Sequence, residues 1–238
     1  VVLTIPAAGS ESSVGSVITK EEGEKTYKWA INYNILRPEF AILNPEITFT
    51  LPDYQTACGA ADIMAHVMER YFTTTSNVDL TDKLCESTLK TVIKNVPQVL
   101  EDPEDYDGRS EEWSSHPIEH ELSAIYDVAH GAGLSVIFPA WMKYVYEDDI
   151  DRFAQFAVRV FGVEMDFENP EWTAREGIRR LEEFFKSIGL PVTLEGLDIG
   201  SNRLEEMAEK CTMNGSIGNL KELDKEDVLE IYKLAQAD

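Results

Sequence analysis

Positive charge is what this chain has least of. Its 238 residues set 21 lysines and arginines against 44 aspartates and glutamates, for a net charge of −23. A body this acidic repels phosphate backbones, and no basic stripe interleaved with aromatics offsets it, so nucleic acid is excluded as a partner. The surplus carboxylates fall in stretches such as EDDIDR (147–152) and RRLEEFF (179–185), which read as solvated helix faces. Cysteine is also sparse: Cys58, Cys85 and Cys211 are odd in number, widely spread and without a Cys-x-x-Cys pair. That excludes a disulfide framework and points to a reducing, cytoplasmic setting. No apolar run approaches the ~20 residues of a membrane span. About the longest, GLSVIFPAWM (133–142), suits a buried helix. The opening VVLTIPAAGSE lacks a basic segment and is not a signal peptide. Apolar and β-branched from its first residue, it reads as the middle of a fold rather than a frayed terminus.

What is present divides near residue 50. Up to there the runs VVLTI, VGSVIT and EFAILN are short and β-rich, separated by PAAGSESS, by the charged turn KEEGEK and by proline. Beyond Pro52 the apolar period becomes helical, predicting helices over 53–73, 80–101, 116–126, 132–147, 149–161, 171–188, 202–212 and 225–236. Punctuation supports several of them. Pro117 and Pro170 stand where a first turn tolerates them, Gly189 and Pro191 end a helix, and Asp224–Asp227 has the look of a cap. No internal repeat or low-complexity linker interrupts the chain. The expected fold is mainly α, with residues 1–50 as a small β portion and 51–238 as an all-helical domain. The β portion is too small to cover both of its own faces.

Histidine is the rarest chemically active residue after cysteine, and all four fall between positions 66 and 130. Asp62 precedes His66 by four residues, so on a helix the two share a face. His116 and His120 repeat that spacing. His130 follows beside Gly131 and Gly133, glycines that let backbone come close to whatever packs there. Imidazoles with one carboxylate suit Zn²⁺ or Fe²⁺ better than Mg²⁺ or Ca²⁺. A single such pair is often no more than a satisfied core histidine. The joint pattern points to a metal site, although spacing alone leaves open whether His116 or His120 is the ligand.

Three segments carry a resemblance: TIPAAGSE (4–11), LPDYQTACGAADIMAHVMERYF (51–72) and SSHPIEHELSAIYDVAHGAGLSVIFPAW (114–141). Together they resemble the iron-containing (group III) alcohol dehydrogenase family, in its butanol dehydrogenase-like branch. The resemblance implies a helical metal-binding domain of the dehydroquinate synthase-like type, preceded by strands of an incomplete Rossmann-like domain. It implies one Fe²⁺ or Zn²⁺ held by Asp62, His66, His116 and His130, with His120 close to the nicotinamide and substrate. There His120 would relay a proton or orient a ligand. It implies NAD or NADP as cofactor, with Thr4 and Lys25 contacting the dinucleotide, and a short primary alcohol or its aldehyde as substrate. A homodimer is a further implication.

Three departures qualify that reading. Ala8 stands where many relatives carry a second threonine. The family's glycine-rich phosphate loop has no counterpart in these residues, and the chain is expected to open on the last strands of the cofactor domain. Only Ser110, Glu111 and Glu112 bridge DYDGR and WSSH, where the family has a long helix and a glycine-containing loop. Metal binding is expected to survive these losses better than NAD affinity, since little remains to hold a pyrophosphate. The rival readings are a non-catalytic metal-binding scaffold or partner-binding module, and a metal-dependent hydrolase.

Overall fold

The computed structural model describes residues 1–5, 7, 9–23, 25–105, 128–213 and 215–236, with backbone alone at Lys25 and Thr26. Near the start, β1 (Gly15–Glu22) and β2 (Lys25–Asn32) form an antiparallel hairpin in which Glu22 faces Lys25 and Gly15 faces Asn32. The run VGSVIT became a strand as its pattern predicts. Its partner KTYKWAIN was not among the expected runs, although Tyr27 and Trp29 alternate onto one face with ring centroids 5.9 Å apart. The first and third expected runs do not make strands. They meet in a single parallel bridge, Val2 to Ile42, with Ile42 N–H donating to Val1 O at 2.9 Å and Leu3 N–H to Ile42 O at 3.1 Å. Pro38 and Pro45 bracket the third run and deprive it of the donors a longer ladder needs.

Seven α-helices follow among the described residues: α1 (Asp53–Tyr71), α2 (Asp79–Glu101), α3 (His130–Val145), α4 (Ile150–Phe161), α5 (Pro170–Ser187), α6 (Leu204–Cys211) and α7 (Lys225–Leu234). Their bounds track the apolar period to within a few residues. The helix expected over 116–126 lies outside the described residues. Pro117 lies there too, and the punctuation elsewhere acts as read. Asn169 caps α5 by accepting from Trp172 N–H, with Pro170 next to it in the first turn. At α7, Asp224 accepts from Asp227 N–H at 3.0 Å and Asp227 accepts from Asp224 N–H at 2.9 Å, a reciprocal capping box.

Two helices form the centre. Residues 57–68 of α1 and 131–140 of α3 are buried without interruption, so both are enclosed on every side in the manner of core helices. They pack on each other, with α2 beside α1, α5 and α7 beside α3, and α4 against α2 and α5. Aromatic rings fill the junction of α1, α3 and α4, where Phe72 stacks on Phe153 at 4.4 Å and Trp141 meets Phe72 edge-on at 5.8 Å. Each such pair adds about 0.5–1.5 kcal/mol beyond the area it buries.

The C-terminal end of α1 is held by charge. Arg152 of α4 donates to both carboxylate oxygens of Asp82 at 2.5 and 2.6 Å, and its Nε donates to Tyr71 O at 2.8 Å. The guanidinium lies over the Tyr71 ring at 4.1 Å, and the Tyr71 hydroxyl donates to Glu86 at 3.1 Å. The hydrogen bonds from Arg152 hold the Asp82 carboxyl below its usual range. Burial raises the Tyr71 phenol. At the other side of the bundle the Tyr144 hydroxyl donates to Asp227, docking α7 on α3 and pushing the phenol up to about 12. None of the three cysteines is joined in a disulfide, as their spacing predicts.

Candidate metal centre

Asp62 and His66 stand one turn apart in the middle of α1, where the helix is buried on every side. Their residues are 5% and 4% exposed. A carboxylate there, out of reach of water, requires partners that offset its desolvation. Two imidazoles face it. His66 Nε2 lies 3.3 Å from Asp62 Oδ1, and His130 Nε2, from the first residue of α3, lies 3.8 Å from the same oxygen.

Gly131 brings His130 within reach. A Cβ placed on Gly131 would stand 1.9 Å from the Cys58 carbonyl oxygen, so the start of α3 rests backbone-on-backbone against α1. Any larger residue would hold the two helices apart and carry His130 away from Asp62. The glycine noticed in the sequence serves this helix-to-helix contact. The His130 side chain is 32% exposed, which makes it the donor on the open side of the cluster.

The donor types and spacings fit a transition metal. Ligands 2.0–2.2 Å from a tetrahedral Zn²⁺ lie about 3.3–3.6 Å from one another. The contact from His66 matches that edge length and the one from His130 lies slightly beyond it. Three donors are one short of a full set, and among the described residues no group of three or more His, Cys, Asp and Glu side chains is placed so that it could hold a metal ion. His116 and His120, the other two histidines singled out by spacing, lie outside the described residues. Thr4 sits in an exposed bend near the start. Lys25 opens β2 opposite Glu22, and its side chain lies outside what is described.

One feature between α1 and α3 escaped the pattern reading. A cleft of ≈ 380 Å³ is lined by Phe72 of α1 and by Leu134, Ile137, Phe138 and Trp141 of α3, with the segment Ile217–Leu223 across it. Its signal was available, because Leu134, Ile137 and Trp141 follow His130 at helical intervals and so share its face. Their apolar character made them read as core alone.

Comparison with known proteins is consistent with this architecture. The Fe-containing alcohol dehydrogenase family, C-terminal, matches residues 56–236. The chain is 40% identical over 251 residues to the probable NADH-dependent butanol dehydrogenase 1 of Bacillus subtilis, covering 98% of this chain and 64% of that protein. It is 28% identical over 257 residues to the NADPH-dependent aldehyde reductase YqhD of Escherichia coli, covering 99% of this chain and 65% of that protein. The crystal structure of NADH-dependent butanol dehydrogenase A from Thermotoga maritima superposes with a TM-score of 0.91 at 34% identity, over 99% of this chain and 65% of that one. The chain thus spans just under two-thirds of the length of each of these relatives. Its fold is the mainly helical one of that structure, and the chain belongs to the Fe-containing alcohol dehydrogenase family.

Proposed function

We propose that the protein is a metal-dependent, NAD(P)-linked alcohol dehydrogenase that interconverts short primary alcohols and their aldehydes. The observation that carries the proposal is the buried Asp62 carboxylate, met by imidazole nitrogens from two different helices at 3.3 and 3.8 Å. Asp62, His66 and His130 would hold Fe²⁺ or Zn²⁺ together with His116, a donor set both ions accept. When bound, the ion supplies Lewis acidity at the substrate oxygen and the nicotinamide supplies the hydride acceptor.

The chain's own residues do the rest. Asp62 brings the one negative charge of the donor set, and α1 fixes it and His66 in a single orientation. The apolar walls around them keep water from the reacting carbon. His130, on the open side, faces the incoming substrate. His120 takes or returns the hydroxyl proton, through whichever ring nitrogen its neighbours leave available. Thr4 and Lys25 hold the dinucleotide from the β portion. In this scheme residues 51–238 form the metal-binding domain and 1–50 belong to the cofactor domain. The protein works in the cytoplasm as a homodimer, on a small neutral substrate. Among the described residues no helix is long and apolar enough to cross a membrane.

Elemental analysis tests the proposal, on untagged protein purified without oxygen and with Asp62→Asn and His116→Ala as controls. About one equivalent of iron or zinc, lost in both variants, is the expected result, and NADH fluorescence should then titrate. Metal without any NADH response would instead support a non-catalytic metal-binding module. Folded protein with no metal would overturn both readings.

A further inference from the structure

A groove of ≈ 650 Å³ runs between the C-terminal end of α3, the turn Tyr146–Asp149, α5 and the end of α7. Lys143, on its wall, stands about 20 Å along α3 from His130, at 1.5 Å per residue, so the groove is separate from the donor cluster. From Glu171 to Glu182 it follows α5 for about 16 Å. Its volume is that of a pocket for a small organic molecule.

Four glutamates and three cations line this groove. Each cation is already held: Lys143 by Glu182 at 2.6 Å, Arg179 by Glu176 at 2.6 and 2.7 Å, and Arg175 by Glu171 at 3.4 Å. Glu147 has no cation beside it among the described residues. Its Oε1 lies 3.2 Å from the Tyr146 hydroxyl, and Glu171 Oε1 lies 3.1 Å from the same hydroxyl. A phenol has one hydrogen, so it donates to one carboxylate and turns an oxygen lone pair toward the other. Tyr146 is 8% exposed, and its buried ring fixes the hydroxyl between the two. One end of the groove therefore carries two carboxylates with a single proton between them and only a long, exposed ion pair to Arg175, which is worth little. Apolar surface continues from that end. Ile178 is buried yet borders the open volume, and Trp172, 49% exposed, and Leu234 stand open on the lining.

We infer that this groove is a binding site for an organic cation, a primary amine or guanidine that carries an apolar body. Its charged head lies between Glu147 and Glu171, supplying donors to the carboxylate that the Tyr146 hydroxyl leaves without one. Its body lies over Ile178 and Leu234 and meets the open face of Trp172, which attracts both hydrocarbon and positive charge. An anion is disfavoured, because every cation on the lining already has a carboxylate. A bare Ca²⁺ is disfavoured too, since it calls for six to eight oxygens and this end offers two side chains. The site uses neither metal nor nicotinamide and stands apart from the dehydrogenase reading.

Calorimetric titration with 4-phenylbutylamine tests the site, beside its uncharged analogue 4-phenylbutyramide and its anionic analogue 4-phenylbutyrate. Salt of about 0.15 M screens the general attraction of a chain with net charge −23. The amine should bind saturably, with one site per chain, and about tenfold or more tightly than either analogue. Glu147→Gln combined with Glu171→Gln should weaken it about tenfold. Trp172→Ala should weaken it about fivefold, and Trp172→Phe should restore most of that loss. Glu205→Gln combined with Glu209→Gln removes the same charge from α6, outside the groove, and should leave the affinity unchanged. Absence of saturable binding would overturn the assignment. So would equal weakening by the two glutamine pairs, which is attraction to an acidic surface rather than a site. Equal affinity for the amine and the amide would overturn it as well, by assigning binding to the apolar wall alone. Each of these failures leaves the dehydrogenase reading standing, since that reading is tested by metal content and NADH.

Discussion

Gly131→Ala tests the coupling between helix packing and the donor cluster. The added methyl would stand 1.9 Å from the Cys58 carbonyl oxygen, and real side chains do not approach closer than about 3.0 Å, so the start of α3 must withdraw from α1 by about 1 Å. His130 is the residue before it and moves with it. Its 3.8 Å separation from Asp62 Oδ1 then opens toward roughly 5 Å, well past the ligand–ligand edge of a tetrahedral site. Displacing a ligand through its supporting structure in this way typically costs tenfold to a hundredfold in metal affinity. Overpacking costs about 1–3 kcal/mol, partly offset by the roughly 1 kcal/mol that alanine gains over glycine in a helix. The net loss of up to about 2 kcal/mol lowers Tm by up to about 4–8 °C for a chain of this size.

Gly177→Ala is the matched control. Its methyl would meet the Ala157 Cβ at 2.5 Å, where α5 crosses α4, away from the donors. Both variants should lose a few degrees in calorimetry, and only Gly131→Ala should lose metal by elemental analysis. A Gly131→Ala protein with unchanged Tm and full metal content would refute the backbone contact. Equal metal loss in both variants would show that general destabilisation, rather than the position of His130, empties the site.

Two further perturbations probe the frame around the site. Arg152→Met leaves the Asp82 carboxylate buried without its bidentate partner and frees the Tyr71 carbonyl, at a cost of about 3–5 kcal/mol in urea unfolding near pH 7. Arg152 holds the folded pKa of Asp82 below its unfolded value near 3.9, so this stabilisation is present above about pH 4 and is lost as pH falls through the folded pKa. The gap between wild type and variant should narrow below pH 4, and a constant gap would assign the effect to lost packing. Asp224→Ala removes one half of the α7 capping box and should cost about 1 kcal/mol. Unchanged thermal unfolding would show that water replaces that cap.

How much of this was legible in the sequence depends on where each determinant resides. The helices were, because a 3.6-residue apolar period and caps such as Asn169 and Asp224 are local properties. So was the Asp62–His66 pair, since a helix fixes i and i+4 on one face whatever surrounds it. β2 was missed because its lysines continue the charged turn before it, and a strand is defined by its neighbour as much as by itself. The runs at Val2 and Ile42 failed for the converse reason, having strand-like residues and, among the described residues, a single bridge to each other. Arg152 and Asp82 are 70 residues apart, and nothing local marks them as partners. His130 is the intermediate case. Its glycine was visible, but the surface that glycine meets, the backbone of Cys58, exists only once α1 and α3 have packed. The same packing sets Leu134, Ile137 and Trp141 in line behind His130, so one helix face carries both that imidazole and an apolar trough. Substitutions that move α3 on α1 should therefore alter metal retention, whereas those confined to the segment Ile217–Leu223 should leave it unchanged.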